Sequence, residues 1–279
     1  DGSSNLTNST DFRWDINKMF LVTGRFNLST DLGWSDNFVS PKSLQFKDET
    51  DLTKKGQLTK ADTRGISYNG NIVGTFNKMF KDNSLISASL GWEATHNKDR
   101  SATTEAIGFF NDHLSFIGNA AGYPADAQPT GTQGETATVG AFLTANYSYR
   151  NRYFIDGTWR MTGSSQFGEN NRWGNFWSAG GGWNILNENF MKGVKKSIDL
   201  MKLRFSMGYT GKVNFSPYQA MTMYKYLNTY EYKNGIGAIP LAIGNVDLAW
   251  ERTMNYNIGF DFSMFNRRLN LVVDAYMRN

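Results

Sequence analysis

The stretch that decides the fold is Val22-Thr23-Gly24-Arg25-Phe26-Asn27-Leu28-Ser29-Thr30-Asp31-Leu32-Gly33-Trp34-Ser35. Its even positions carry Val22, Phe26, Leu28, Leu32 and Trp34 among Gly24 and Thr30. Its odd positions carry Thr23, Arg25, Asn27, Ser29, Asp31, Gly33 and Ser35, with no large apolar residue among them. Successive side chains of a strand point to opposite faces, so a period of two means one greasy face and one polar face. The same alternation returns at 86–95, 139–148, 203–210 and 254–263.

Working outward, this pattern predicts ten strands at 6–16, 21–36, 66–77, 84–96, 136–149, 152–165, 172–186, 199–211, 247–264 and 268–278. Most exceed the usual strand mode of about 5–6 residues by a factor of two or three. Short turns are expected near Asn17–Phe20, Asn77–Asn83, Arg150–Asn151 and Phe265–Arg267, and long connections at 37–65, 97–135 and 212–246. Two links break the alternation of short and long: Gln166–Asn171 is short and 187–198 is longish. By strand direction, Tyr218–Tyr232 cannot be one more strand of the sheet and is expected to form a hairpin within its connection. Long structureless loops argue against a compact soluble domain unless they are functional. Long loops at one end and short turns at the other are what a membrane β-barrel has outside and on its periplasmic side.

Composition agrees. The chain of 279 residues has 29 basic and 25 acidic residues, a formal charge of +4 and only 19% charged residues, with no basic stripe for nucleic acid. It has no cysteine and two histidines, His96 and His113, which excludes a disulfide scaffold and a histidine- or thiolate-rich metal centre. No apolar run of 18 residues marks a transmembrane helix. Aromatics make up 15% of the chain. Phe20, Phe80 and Phe265 sit toward the short-turn end of the strands, and Trp34 and Trp92 toward the long-loop end, as interfacial belts require. The opposite face carries Arg25, Asp31, Glu93, Asp156, Arg160, Arg204 and Asp261, suited to a solvated lumen. The expected fold class is therefore all-β: part of a large antiparallel transmembrane β-barrel, with Phe26, Leu90, Leu143, Phe205 and Ile258 toward lipid.

No motif for covalent chemistry is present: no P-loop, GxSxG elbow, HExxH or EF-hand loop. The run Gly180-Gly181-Gly182 lies inside a strand with no helix after it, so close packing outweighs anion binding. Asp48 with Glu49 or Asp51 could hold calcium or serve glycoside chemistry, but a solvated loop is the simpler reading. No catalytic residue, metal or cofactor is expected. The loop aromatics Phe109, Phe110, Phe116 and Tyr123 in 97–135, and Phe215, Tyr218, Tyr224, Tyr226 and Tyr230 in 212–246, are the candidate contacts to a substrate or partner. Packing within the loops is the competing account of each.

One group of segments resembles a known family. Arg152-Tyr153-Phe154-Ile155-Asp156-Gly157 leads to Gly163-Ser164-Ser165-Gln166-Phe167-Gly168-Glu169-Asn170-Asn171-Arg172-Trp173-Gly174. Lys202-Leu203-Arg204, Gly208-Tyr209-Thr210-Gly211, Asp247-Leu248-Ala249-Trp250-Glu251-Arg252-Thr253 and Asn257-Ile258-Gly259-Phe260-Asp261 follow in order. Together these are similar to the barrel region of SusC/RagA-type TonB-dependent outer-membrane transporters, specifically over about 150–279. The resemblance implies a barrel of ~22 strands with a plugged lumen. It also implies a preceding plug with a TonB box, a SusD-like surface lipoprotein as cap, and uptake of oligosaccharides or peptides driven through the TonB complex. The expected location is the outer membrane of a Gram-negative bacterium, in contact with its lipid. No plug or TonB box is recognised in 1–279, and about ten strands cannot close such a barrel, so the chain reads as a portion of a larger transporter. Two rival readings remain: a soluble carbohydrate-binding β domain, and a structural surface protein.

Overall fold

The structure, a computed structural model, describes residues 1–125, 128–213, 217–232 and 235–279, with the side chains of 228–232 also outside the description. Twelve strands follow in order: β1 (Gly2–Asp15), β2 (Phe20–Val39), β3 (Gln57–Met79), β4 (Leu85–Ile107), β5 (Thr130–Tyr149), β6 (Tyr153–Ser164), β7 (Trp173–Asn184), β8 (Ile198–Lys212), β9 (Met223–Tyr232), β10 (Gly235–Ala242), β11 (Glu251–Met264) and β12 (Leu269–Arg278). Ten of them form a single sheet in the order β1-β2-β3-β4-β5-β6-β7-β8-β11-β12, and β9 and β10 form a separate hairpin. All ten predicted strands are present, and the stretch 218–232 does belong to a hairpin, though its two arms begin at Met223 and Gly235. Among the described residues the only other sheet is the two-stranded β9–β10 hairpin, not the second large sheet that a sandwich would need. No helix among the described residues is long and apolar enough to cross a membrane, which says nothing of strands.

The sequence reading ends several strands too early. Residues 57–65, 97–107 and 130–135 were expected to be loop and are strand. In these stretches both faces are polar, for example Lys98 and Arg100 against Asn97 and Asp99. The alternation of hydrophobicity disappears there while the backbone ladder continues. Strands of 23 residues, such as β3 and β4, are about twice what a tilted transmembrane strand needs.

Contacts divide the chain into two units, residues 1–9, 27–69 and 96–136, and residues 10–26, 70–95 and 137–279. The first holds one end of β1–β5 with the connections at that end. Its small core is Leu58, Ala106 and Phe109, packed against Phe38, Ile117 and Ala120. Two single-turn 3₁₀ segments, Leu44–Phe46 and Leu52–Lys54, are started by Ser43 and Asp51, whose side chains accept the backbone N–H two residues on. Asp51 is engaged in this cap, and its neighbour Glu49 accepts from the Asp51 N–H at 2.9 Å, so these carboxylates shape the loop. Asp112 ties the two connections together: it accepts from Lys42 Nζ at 2.7 Å and from the Ser40 hydroxyl. Those bonds hold its carboxyl below the ordinary aspartate range, Lys42 first and Ser40 second.

In the second unit the register is continuous. Leu143 faces Trp159, which faces Trp177. Two residues along, Ala145, Gly157, Ala179, Met207, Tyr256 and Met277 form one row. Tyr147, Ile155, Gly181, Phe205, Ile258 and Ala275 form the next. Large apolar side chains in these rows are open to the surroundings: Ile155 is 63% exposed, Ile258 51% and Leu143 46%. Exposed apolar rows of this extent mark a contact surface, with a membrane or with another protein. The tight turns agree with the reading: Arg150 and Asn151 both have positive φ (48° and 56°), the conformation of a two-residue hairpin turn.

Candidate functional site

The opposite face of the second unit is polar and built from ion pairs that cross glycines. Arg204 on β8 forms two 2.8 Å bonds to Asp261 on β11 and reaches Asp274 on β12 at 3.2 Å. Gly259 lies beneath this group; a Cβ there would meet both the Arg204 guanidinium and the Asp274 carboxylate. Glu93 on β4 pairs with Arg160 on β6, two strands away. Gly140 of β5 lies between them, with its would-be Cβ 3.4 Å from both Glu93 Cγ and Thr162 Oγ1. Glycine in the middle strand lets a charged side chain lie flat across the sheet. In the run Gly180-Gly181-Gly182, Gly180 serves the same end: a Cβ there would meet the Asp156 carboxylate at 2.6 Å.

Beside Glu93 and Arg160 is an open concavity of about 510 Å³, lined also by Thr138, Thr158, Thr162, Ser178, Thr210, Phe176 and Trp250. Its apolar wall is where the family-like residues gather. Phe167 is 2% exposed and stacks on Trp250 at 4.2 Å; Phe176 meets the same indole edge-on at 5.3 Å. Gly174 and Gly211 both lie against the Phe176 ring, and Gly163 against the Trp173 indole. Gly168 touches the Val246 carbonyl so closely that no Cβ fits. Trp250 Nε1 donates to the Arg172 carbonyl at 3.4 Å, and Asn171 Nδ2 to the Asp247 carbonyl at 3.1 Å. Ser164 is buried; its hydroxyl accepts from the Gln166 N–H, and the Ser165 hydroxyl accepts from the Ala137 N–H at 2.9 Å. Glu251 and Thr253 begin β11, where they pair with Lys212 and Thr210. These residues therefore form one clasp joining the β6–β7 connection to the approach to β11.

The loop aromatics divide. Phe109, read as a possible contact, is 1% exposed and packs edge-on against Phe38 at 5.3 Å: it is core, because the connection folds back on the strand ends. Phe110, Phe116 and Tyr123 in that connection are exposed, as are Tyr224 and Tyr226 on β9. Tyr218 is half-buried at a tight turn with φ of 69°. Phe215 and the side chain of Tyr230 lie outside the described residues. Among the described residues no three His, Cys, Asp or Glu side chains gather as a metal site.

One carboxylate escaped the sequence reading. Glu188, in the connection after β7, is 9% exposed and accepts from the Tyr153 hydroxyl at 2.6 Å, Trp183 Nε1 at 3.0 Å and Arg152 at 3.5 Å. These donors, Tyr153 first, keep its carboxyl below the ordinary glutamate range. No local motif announces it, since its partners come from a turn and two strand ends.

The family model for "TonB dependent receptor-like, beta-barrel" matches residues 1–279. The chain belongs to this family. A TonB-dependent receptor of Formosa agariphila, P39, is 35% identical over 204 residues, which are 73% of this chain and 19% of that protein. The TonB-dependent receptor SusC of Bacteroides thetaiotaomicron is 40% identical over 146 residues, half of this chain and 14% of that one. The chain thus spans about a fifth of the length of the curated relatives it matches. Among solved structures, the RagAB peptide transporter superposes with a TM-score of 0.87 over 99% of this chain and 30% of its own, at 22% identity. The fold is that of a portion of a larger barrel. In this TonB-dependent receptor barrel, the apolar rows around Leu143, Phe205 and Ile258 and the ion-paired residues lie on opposite faces of the sheet.

Proposed function

We propose that this barrel segment is part of the wall of a TonB-energised importer in the outer membrane of a Gram-negative bacterium. The observation that carries the reading is the family match over residues 1–279, on a sheet with one exposed apolar face and one ion-paired face. The protein performs no covalent chemistry. It passes an oligosaccharide or peptide inward, works with a SusD-like surface lipoprotein, and engages the TonB complex through another part of the transporter. The SusC relative and the likeness to a peptide transporter described as "RagAB" support this assignment. The long connections lie on the extracellular side. There Phe110, Phe116, Tyr123, Tyr224 and Tyr226 offer stacking surface to the substrate or the cap. Tyr218, Phe215 and Tyr230 belong to the same loop.

The test is made in the full-length transporter. The β9–β10 hairpin is removed and replaced by a short Gly-Ser link, and uptake and lipoprotein co-purification are measured. Loss of either with a heat-modifiable, assembled barrel supports the reading. Unchanged uptake and unchanged partner binding refute it. So does labelling of a cysteine at Tyr226 or Phe116 from the periplasmic side alone.

A further inference from the structure

In the first unit, the apolar face gives way to charge on three neighbouring strands, farther along on β2 than on β3, since Asp36 of β2 meets Lys60 of β3. On β2 the even positions run Leu28, Leu32, Trp34 and then Asp36; on β3, from the membrane outward, Tyr68, Ile66 and then Arg64, Asp62 and Lys60. On β4 they run His96 and then Lys98 and Arg100. Tyr68 stacks on His96, ring centroids 6.1 Å apart, which sets these two strands in register. Four residues beyond that stack on each strand come Arg64 and Arg100, so the two guanidinium groups stand opposite one another on the same face. Like charges directly opposite on adjacent strands destabilise the pair unless something neutral or negative comes between them. Both side chains are exposed, and among the described residues neither has an ion-pair or hydrogen-bond partner. The neighbouring cations are already satisfied: Lys60 is 3.2 Å from Asp36, and Lys98 is 3.6 Å from Glu135.

The two arginines open onto a concavity of about 520 Å³ whose other walls include Leu32, Trp34, Lys60 and Asp62. Leu32 and Trp34 supply its apolar part and the two arginines its cationic part, and these side chains share the even-numbered face of β2 to β4, the face expected to meet lipid. Aromatic rings mark the hydrocarbon boundary, and cations just beyond it sit at the depth of lipid headgroups.

We propose that this concavity is a binding site for a phosphorylated lipid headgroup, with Arg64 and Arg100 clamping the phosphate and Leu32 and Trp34 packing on the first methylenes of the acyl chains. The guanidinium fork matches phosphate geometry, and the apolar floor discriminates a lipid from a free anion. The inference rests on the lipid-face assignment and is independent of what the transporter imports.

The experiment uses the full-length transporter reconstituted in phosphatidylcholine nanodiscs doped with phosphatidic acid, with retained lipid counted by native mass spectrometry. Wild type should retain phosphatidic acid over phosphatidylcholine, and millimolar inorganic phosphate should not displace it. Arg64→Gln with Arg100→Gln should weaken retention roughly thirty-fold, about a factor of five for each arginine. Asp62→Asn, which removes the one unpaired carboxylate of the cavity, should strengthen retention, and this guards against a mere folding defect in the double variant. Equal retention by wild type and double variant overturns the proposal. So does weaker retention in Asp62→Asn, or displacement by inorganic phosphate, which would mark a free-anion site. Substrate uptake is measured in parallel; its loss alone bears on the import reading and not on this one.

Discussion

Replacing Leu143 by arginine tests the assignment of the two faces. Leu143 stands at the middle of the β5–β6 register, which runs from Thr138↔Ser164 to Tyr149↔Tyr153, and faces Trp159. It is 46% exposed, so the arginine has room and the cost is solvation, not overpacking. A cation at the midplane of the lipid face of a barrel costs ~2–4 kcal/mol. Thr144 is the neighbouring residue on the other face, opposite Thr158, with the Arg160 and Asp156 positions on either side of that partner. An arginine there enters a polar, mixed-charge surface, where substitutions stay within about 0.5 kcal/mol. The two variants should therefore differ by roughly 1.5–3.5 kcal/mol, or about 10- to 400-fold in the folding equilibrium. The assay is urea-dependent folding of the full-length transporter into lipid vesicles, read by electrophoretic shift and tryptophan fluorescence. Equal losses, or a larger loss for Thr144→Arg, would refute the argument and reverse the faces.

Two further expectations follow from the clasp and from the Glu188 cluster. Phe167→Ala removes a ring that is 2% exposed and stacked on Trp250, and should cost about 3–5 kcal/mol locally, seen as faster hydrogen exchange at 165–172 and 246–250 with the β5–β6 ladder unchanged. The folded carboxyl of Glu188 lies below its ordinary value, so its contribution is fully present above about pH 4.3 and is lost as pH falls through the folded value. Glu188→Gln should flatten this part of the acid limb of the unfolding profile while Asp112, held down by Lys42 and Ser40, still contributes its own; an unchanged acid limb would show that Tyr153 and Trp183 do not stabilise the charge.

Much of this protein could be read from residue order alone. Each long strand writes its two faces into a period of two, because an apolar and a polar environment make opposite demands on neighbouring side chains. All ten sheet strands, the turns at Arg150–Asn151 and Phe265–Arg267, and the polar role of Arg204 and Asp261 follow from that. The signal fades where both faces are polar, and so β3, β4 and β5 run further than the pattern indicated.

What only the tertiary structure decided depends on strands that are distant in sequence. Close packing at Gly180-Gly181-Gly182 was legible, but not that Glu93 reaches Arg160 across Gly140, or Arg204 reaches Asp274 across Gly259. The family-like residues from Gly163 to Trp250 were recognisable as a motif, but not as a packed clasp around Phe167. The fate of Phe109 turned on whether its loop folded back, and the opposition of Arg64 and Arg100 on the register of two strands. Local sequence states which medium a side chain prefers. Which side chain meets it across the sheet is set by long-range pairing, whose cost and register no local pattern records.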